Sequence, residues 1–165
     1  MIAPRAGTRY VAPMNFKSEI ERNARFRRLA DYLAAKAPQG KLPGRKHIDP
    51  LELADLLPWV MLIDMMPQAN GEPRYRIRLV GTEIVAIQGS DGTGKYVDEV
   101  LTGSESAEVI RGYGEILRTR EPQYRRGNVP VSGRGHVPYE RVAFPLASDG
   151  EHVDMLMFVF AKLPD

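Results

Sequence analysis

The sequence predicts an α+β domain with a five-stranded antiparallel sheet and a helical crossover on one face. Two observations carry it. Five segments have the alternation or the continuous apolar character of strands, and turn signals join them into a group of two and a group of three. Roughly forty residues of helical pattern separate the groups, so the second and third strands should lie apart in the sheet. An amphipathic N-terminal helix completes the fold.

The N-terminal region divides into an arm, a helix and a linker. Residues 1–14 have two prolines and no periodicity, which predicts a flexible arm. From Phe16 to Lys36 apolar residues recur at helical spacing, which predicts one amphipathic helix whose apolar stripe needs a cover. Residues 38–45 carry two prolines and two glycines. We therefore assign residues 15–45 to helix and linker and residues 46–165 to the domain proper.

The first half of the domain begins with a short helix and two strands. Asp49, Pro50 and Glu52 stand in N-cap, N1 and N3 register and predict a helix that ends near Leu57. The apolar run 59–65 is typical of a strand buried on both faces. After an Asn-Gly turn signal, residues 74–80 alternate arginines with Tyr75, Ile77 and Leu79, which predicts a half-buried strand.

The second half supplies the crossover and three more strands. Residues 82–88 and 97–101 are predicted helical turns, and Thr102-x-x-Glu105 is predicted to cap a helix that reaches about Arg118. Asp149-Gly150 is a two-residue hairpin signal between the last two strands. The three predicted strands cover residues 124–131, 139–147 and 152–162.

Composition excludes several classes of function. The 165 residues suffice for one domain, and 23 basic against 21 acidic side chains give a charge of +2, too low to favour a nucleic-acid partner. The absence of cysteine excludes disulfides, thiolate nucleophiles, iron–sulfur clusters and cysteine-ligated zinc. No apolar run has the length of a signal peptide core or a membrane span, so we expect a soluble, cytoplasmic protein without a membrane partner.

Three segments together resemble a known family. They are IDPLELADLLPWVMLIDM at 48–65, RYRIRLVGTEIVAIQGSDGTGKYVDEV at 74–100 and YERVAFPLASDGEHVDMLMFVFA at 139–161. In order and spacing they resemble short bacterial PAS-domain proteins found mainly among alphaproteobacteria. The resemblance implies a PAS fold and a sensing or interaction module without catalytic residues. It does not name a ligand.

The loop from Gly89 to Lys95 fits the first seven positions of the phosphate-loop pattern. The eighth position should be Ser or Thr to hold Mg²⁺, and Tyr96 stands there instead. The predicted helix that follows is also short. A glycine-rich connection between two short helices is therefore favoured over a nucleotide site.

Neither metal nor catalytic chemistry has support in the sequence. His47, His136 and His152 are not paired at the spacing of a helix or strand site, so no metal site is predicted and surface positions are expected. No histidine lies on a pocket helix, where a PAS haem ligand would be. The flavin–cysteine adduct chemistry of related domains needs a cysteine, which is absent. No G-x-S-x-G elbow or other nucleophile setting is present, and any cofactor stays unknown.

Arginines gather around the third predicted strand and its flanking loops. A solvated, charge-protected edge is the favoured interpretation, and an anionic partner is the alternative. The residues concerned are Arg118, Arg120, Arg125, Arg126 and Arg134.

An apolar ligand pocket is predicted between the sheet and the crossover helices, with a fully packed core as the open alternative. If Asp149-Gly150 forms a two-residue turn, alternate residues of the final hairpin share one face with the alternating strand. Three tyrosines would supply the polar anchors of such a pocket. The predicted pocket residues are Tyr75, Ile77, Leu79, Ile84, Ile87, Tyr96, Leu101, Tyr113, Leu117, Phe144, Met155 and Met157.

The resulting hypothesis is a stand-alone PAS-type sensory or regulatory module without catalytic activity, which binds a small molecule, a partner protein, or both. A homodimer through the N-terminal helix and the exposed sheet face is expected, because that helix has an apolar stripe to bury. The alternatives are a ligand-free interaction adaptor of the same fold and, third, a nucleotide-binding enzyme that uses Lys95.

Overall fold

The computed structural model describes residues 16–102, 106–131 and 133–163. These residues form five α-helices and five strands, with short 3₁₀ turns before the first strand. The helices are α1 (Phe16–Arg22), α2 (Ala24–Lys36), α3 (Thr82–Gln88), α4 (Val97–Val100) and α5 (Ser106–Thr119). The strands are β1 (Val60–Met66), β2 (Arg74–Val80), β3 (Gln123–Asn128), β4 (Pro138–Leu146) and β5 (Met155–Lys162).

The strands form one antiparallel sheet in the order β2-β1-β5-β4-β3. As predicted, the crossover α3–α5 separates β2 from β3, which lie at opposite edges. The earliest and latest strands, β1 and β5, pair at the centre, with Val60 opposite Val159. The fold-class prediction is confirmed.

Each face of the sheet has its own hydrophobic core, because the central strands are buried on both sides. On the crossover face, Ile63, Leu156 and Phe158 pack with Ile84 of α3 and Ile116 of α5. On the other face, side chains of α1 and α2 pack against alternate residues of β1, β4 and β5. Burial of these apolar side chains on both faces is the main stabilising term of the fold.

The N-terminal helix is broken in two, which corrects the prediction of a single helix. Asn23 lies between α1 and α2 with an extended backbone, and its side chain accepts hydrogen bonds from the N–H groups of Arg25 and Phe26. This N-cap satisfies two N–H groups that begin α2. The asparagine was the sequence signal for the break.

The apolar stripe of α2 is already covered within the chain. Phe26 and Leu29 are fully buried and Leu33 is nearly so, all against the sheet. The stripe is therefore not free to form the expected contact while the helix is packed in this way, and the homodimer through the N-terminal helix and the sheet face stays a prediction.

The connection between β4 and β5 is longer than the predicted two-residue turn. Leu146 pairs with Met155, so eight residues, 147–154, form the loop. Asp149 instead caps a turn inside it, since its carboxylate accepts from the N–H groups of Glu151 and His152. The loop is held by the linker, because Leu42 N–H donates to Gly150 O and Ala147 N–H donates to Pro43 O.

Other boundaries differ by a few residues. The helix predicted after Asp49 is a 3₁₀ turn over Pro50–Leu53, with the Asp49 carboxylate accepting from Leu51 N–H. β3 ends at Asn128, before Pro130, which lacks the N–H needed to continue a ladder. Residues 1–14 and residues 103–105, which include Glu105 of the predicted cap, lie outside the described residues.

Candidate functional site

The crossover-side core contains a partly open cavity of about 40 Å³ between the sheet and the helices. Four of the predicted pocket residues line it, namely Ile77, Ile87, Leu101 and Tyr113. A site for a drug-sized ligand or cofactor needs about 300–1,000 Å³, whereas a single water needs only about 10–15 Å³. The cavity therefore has room for water or a very small molecule, and neither a flavin nor a haem fits it.

Three more predicted residues, Tyr75, Ile84 and Leu117, belong to the same core without lining the cavity. Tyr75 and Tyr113 pack edge to face, with ring centroids 5.2 Å apart. Tyr96 lies further out and stacks on the guanidinium of Arg74 at 3.7 Å.

The other four predicted residues do not face the cavity. Phe144, Met155 and Met157 lie on the opposite face, in the core beneath α1 and α2. Alternation along β4 and β5 fixes this, since it sends the neighbouring residues Ala143, Leu156 and Phe158 to the crossover side. Their place in the predicted pocket is wrong.

A register shift in the pairing of β1 with β2 accounts for the position of Leu79. Leu62 pairs with Leu79 and Ile63 with Ile77, so Arg78 is an extra residue in β2. Because Leu62 faces α2 and pairs with Leu79, the shift turns Leu79 away from the face shared by Tyr75 and Ile77. Leu79 is 40% exposed.

Among the lining residues that the sequence prediction missed is the charged residue Arg141, on β4. It lines the cavity and is 2% exposed. Its Nη1 donates to the backbone oxygen of Gln123 and its Nη2 to the Gln123 Oε1, both at 3.2 Å. The guanidinium also lies 5.2 Å from the ring centre of Phe158 and 5.9 Å from that of Tyr113, within cation–π range.

Burial shifts the titration of the groups around the cavity. It lowers the pKa of Arg141, with the nearby charge of Arg125 acting in the same direction. It raises the pKa of Tyr113 to about 12, so this hydroxyl is neutral over the physiological range. The cavity thus combines the buried cation of Arg141 with apolar walls and the neutral hydroxyl of Tyr113.

Arg125 lies directly opposite Arg141 on β3 and is also buried. Its Nη1 is 3.8 Å from the Glu108 carboxylate of α5. The interpretation of this arginine as part of a solvated edge is therefore wrong. The solvated-edge interpretation agrees with the exposure of Arg118, Arg120 and Arg126, whereas Arg134 is half-buried.

The neighbour of Arg141 on the strand, Glu140, points to the other face and binds the N-terminal helices. Its carboxylate accepts a hydrogen bond from Tyr124 Oη at 2.6 Å and one from Asn23 Nδ2 at 3.1 Å. Arg22, at the end of α1, is 3.8 Å away. We call Glu140, Tyr124 and Asn23 the latch. It attaches the break between α1 and α2 to the sheet.

A sequence signal for both residues was present. Glu140 and Arg141 are adjacent opposite charges inside a strand that is buried along both faces. Buried charges are rarely left without a partner, so each face had to supply one. The sequence alone does not identify the residues that are the partners of Glu140 and Arg141.

The loop from Gly89 to Lys95 connects α3 to α4, as predicted, and runs beside β2. Three N–H groups in its second half have protein acceptors: Thr93 donates to Asp91, Gly94 to Ile77 and Lys95 to Gly92. Because these N–H groups would have to cradle a phosphate in a nucleotide site, the geometry favours a structural connection. The helix that follows, α4, has only four residues.

The histidines lie apart. His136 and His152 are exposed and His47 is half-buried, its Nδ1 accepting from Gly44 N–H. In the part of the chain that the structure describes, no three His, Asp or Glu side chains gather as metal ligands would. Over the same residues, none of the helices has both the length and the apolar character needed to cross a bilayer.

Comparison with known proteins agrees with this geometry. A family model described as a PAS domain matches residues 22–159, from the end of α1 to β5. The search of proteins with curated function found no match.

Among solved structures, the chain is similar to a light-oxygen-voltage domain studied with a flavin analogue, with a TM-score of 0.52 and 13% identity over 70% of this chain and 84% of that one. The chain is also similar to the Rhodobacter sphaeroides LOV protein, with a TM-score of 0.49 and 12% identity over 70% of this chain and 69% of that one. For the PAS domain of an HTR-like protein from Haloarcula marismortui, the TM-score is 0.44 and the identity 18%, over 68% of this chain and 88% of that one. At these identities the similarity shows the fold alone. Of the three structures, the first, with its TM-score of 0.52, supports that conclusion.

Proposed function

Because the chain belongs to the PAS domain family, we propose that it is a sensory or regulatory module without catalytic activity of its own. A small molecule at the crossover cavity, or a partner protein, shifts how α1 and α2 pack on the sheet. The signal leaves through contact of these helices with another protein or a second copy of the chain.

The observation that carries the proposal is the adjacency of Glu140 and Arg141 on β4. Arg141 lines the cavity on one face, while Glu140 holds the latch on the other. A change in the tilt or twist of this strand at Arg141 must also move Glu140, because one peptide unit joins them. The strand thus gives the cavity a direct mechanical route to the helices.

The energetics are those of a population shift. The helices can occupy a latched arrangement, in which Glu140 accepts from Asn23, and a released one, in which it does not. A ligand moves the balance only by the difference between its affinities for the two arrangements. Hydrogen bonds to a charged group contribute about 1.5–3 kcal/mol each, so a modest affinity difference suffices to shift this equilibrium.

A ligand-free adaptor of the same fold is the second candidate. The cavity volume of about 40 Å³ favours it, because most of the space that a PAS ligand would need is filled by side chains. In an adaptor, a partner that binds α1 and α2 would release the latch without any small molecule.

Dimerisation would follow the same logic. The apolar stripe of α2 is buried while the latch is closed, so a homodimer through these helices would use their outer surface or form after release. A variant with a weakened latch is then expected to dimerise more than the wild type, as light scattering would show.

Hydrogen–deuterium exchange on the full chain tests the proposal. In E140Q the amides of α1 and α2 should exchange about tenfold faster or more, because a charge-assisted bond is lost there, while those of β1 and β2 change little. E151Q is the matched control, since it removes a carboxylate that pairs with Lys41 at the surface.

The transmission step needs a second variant. R141K alters only the cavity side of β4, and it should also speed exchange in α2. If E140Q and R141K accelerated every segment equally, or if R141K left α2 unchanged, strand-mediated transmission would be excluded.

A further inference from the structure

The cavity contains a buried positive charge that the surrounding protein neutralises poorly. Arg141 is 2% exposed, and the two Gln123 oxygens that accept its hydrogen bonds are both neutral. Glu108 of α5 lies against Arg125, with its carboxylate 3.8 Å from Arg125 Nη1. Within the described residues, no carboxylate reaches salt-bridge distance of Arg141.

Another arginine lies close to Arg141. Burial lowers the pKa of the Arg141 guanidinium, and Arg125, directly across the strand pair, acts in the same direction although it also faces Glu108. The ring faces of Phe158 and Tyr113, whose centres lie 5.2 and 5.9 Å from the guanidinium carbon, attract the cation. Neither ring carries a charge that would neutralise it. Burial of a charge without an opposite charge is strongly unfavourable, so an anion beside Arg141 would stabilise the fold.

The guanidinium has donors left for such an anion. The bonds to Gln123 engage two of its five N–H groups. A planar guanidinium fork matches a carboxylate, which it can bind through two parallel hydrogen bonds. Size selects the anion further, because about 40 Å³ admits only a few heavy atoms.

We propose that the crossover cavity binds a short-chain carboxylate anion, of the size of formate or acetate, through Arg141. Most of the other side chains that line the cavity are apolar, for example Ile63, Ile77 and Val109, and none of them is charged. Such walls suit a methyl group and do not favour a second charge. The proposal rests on the proposed function and deepens it, since it names the class of molecule whose occupancy the latch would report.

Thermal unfolding of the full wild-type chain tests the ligand class without any substitution. Sodium formate and sodium acetate should raise Tm in a saturable way, relative to sodium chloride at the same ionic strength. Acetamide, which has the shape of acetate without its charge, should not. Pivalate, which has the charge but a bulkier carbon group, should not either.

An acetate curve equal to the chloride curve would overturn the proposal. So would an equal response to acetamide, which would remove the role of charge, or to pivalate, which would remove the role of the cavity.

Two measurements locate the site. R141K should weaken acetate binding about tenfold or more, because a lysine cannot form the bidentate pair, while R126K, on the exposed edge strand, should bind like the wild type. Nuclear Overhauser contacts between ¹³C-labelled acetate and the Tyr113 ring in the wild type give the same information if R141K does not fold. Contacts to surface residues alone would refute the site.

The two proposals fail in different ways. Saturable stabilisation by acetate with unchanged exchange in α1 and α2 would support the anion site and refute its coupling to the helices. Normal coupling in the E140Q and R141K exchange experiments with no response to acetate would keep the regulatory function and refute the ligand class.

Discussion

Tyr124 and Tyr32 each donate a hydrogen bond to a glutamate, but in different surroundings. Tyr124 donates to Glu140 at 2.6 Å in the buried latch, whereas Tyr32 donates to Glu52 at 2.7 Å on the surface. Burial, together with the bond to Glu140, raises the pKa of Tyr124, so this hydroxyl stays a donor throughout the physiological range. The two tyrosines form a matched pair for mutation.

We expect Y124F to lower the free energy of unfolding by about 1.5–3 kcal/mol, the usual range for a hydrogen bond to a charged group. Y32F should lower the free energy of unfolding clearly less, because water at the surface can hydrogen-bond to Glu52 in place of the lost hydroxyl. Urea unfolding of both variants measures the difference. Equal losses would mean that the latch contributes no more than a surface contact.

The pair His152 and Asp149 predicts a pH effect at the surface. The hydrogen bond to the Asp149 carboxylate raises the pKa of His152 above 6.5, since it favours the protonated ring. The stabilisation is therefore complete below pH 6.5 and is lost as the pH rises through the higher, folded-state pKa. Hydrogen bonds from the backbone and from His152 lower the pKa of Asp149, so its carboxylate stays charged over this window.

Proton NMR of the imidazole should show a midpoint above 6.5 in the wild type, and D149N should bring it back toward that value. E151Q should lower the midpoint less, because Glu151 acts only through a weaker, longer-range attraction. An unchanged midpoint in D149N would exclude the pair as the cause.

Helix α5 contains two glycines with opposite surroundings. A Cβ on Gly112 would lie 2.7 Å from Nε2 of Gln123, the residue that holds Arg141. A Cβ on Gly114, one position beyond Tyr113, would meet no atom within 4 Å. The first glycine therefore allows a close approach between helix and sheet, and the second has no such role.

G114A should stabilise the protein by about 0.5–1 kcal/mol, because alanine favours the helix and restricts the unfolded chain. G112A should gain less than G114A, because its Cβ has to displace the end of the Gln123 side chain, which donates to Gly112 O and accepts from Arg141. Urea unfolding distinguishes them, and a G112A variant as stable as G114A would show that Gln123 moves aside without cost.

Local patterns in the sequence were sufficient to predict the type of nearly every element. The alternation of arginines with apolar residues in β2 and the apolar runs of β1 and β5 identify strands, since each records which faces are buried. The β4–β5 loop length was not predictable, because it depends on bonds from the distant linker, such as Ala147 N–H to Pro43 O. Likewise, the shift that turns Leu79 outward leaves no local signal.

The whole molecule joins two cores through one sheet, and here prediction from sequence was least complete. Strand number and the separation of β2 from β3 followed from the order of segments. Which face each residue of β4 occupies depended on register, so the predicted pocket mixed residues of both cores. Arg141 was missed for the same reason: only the assembled sheet brings Gln123, Tyr113 and Phe158 around it.

The pairing of β1 with β5 also governs how the chain can mature during synthesis. Val60 leaves the ribosome about a hundred residues before its partner Val159, and contacts so distant in sequence are slow to form. Until then β1 has one unsatisfied edge, the kind of surface that invites intermolecular strand addition. Nascent chains should therefore depend on chaperones until β5 has emerged, and truncated products that lack it should aggregate rather than persist as partial domains.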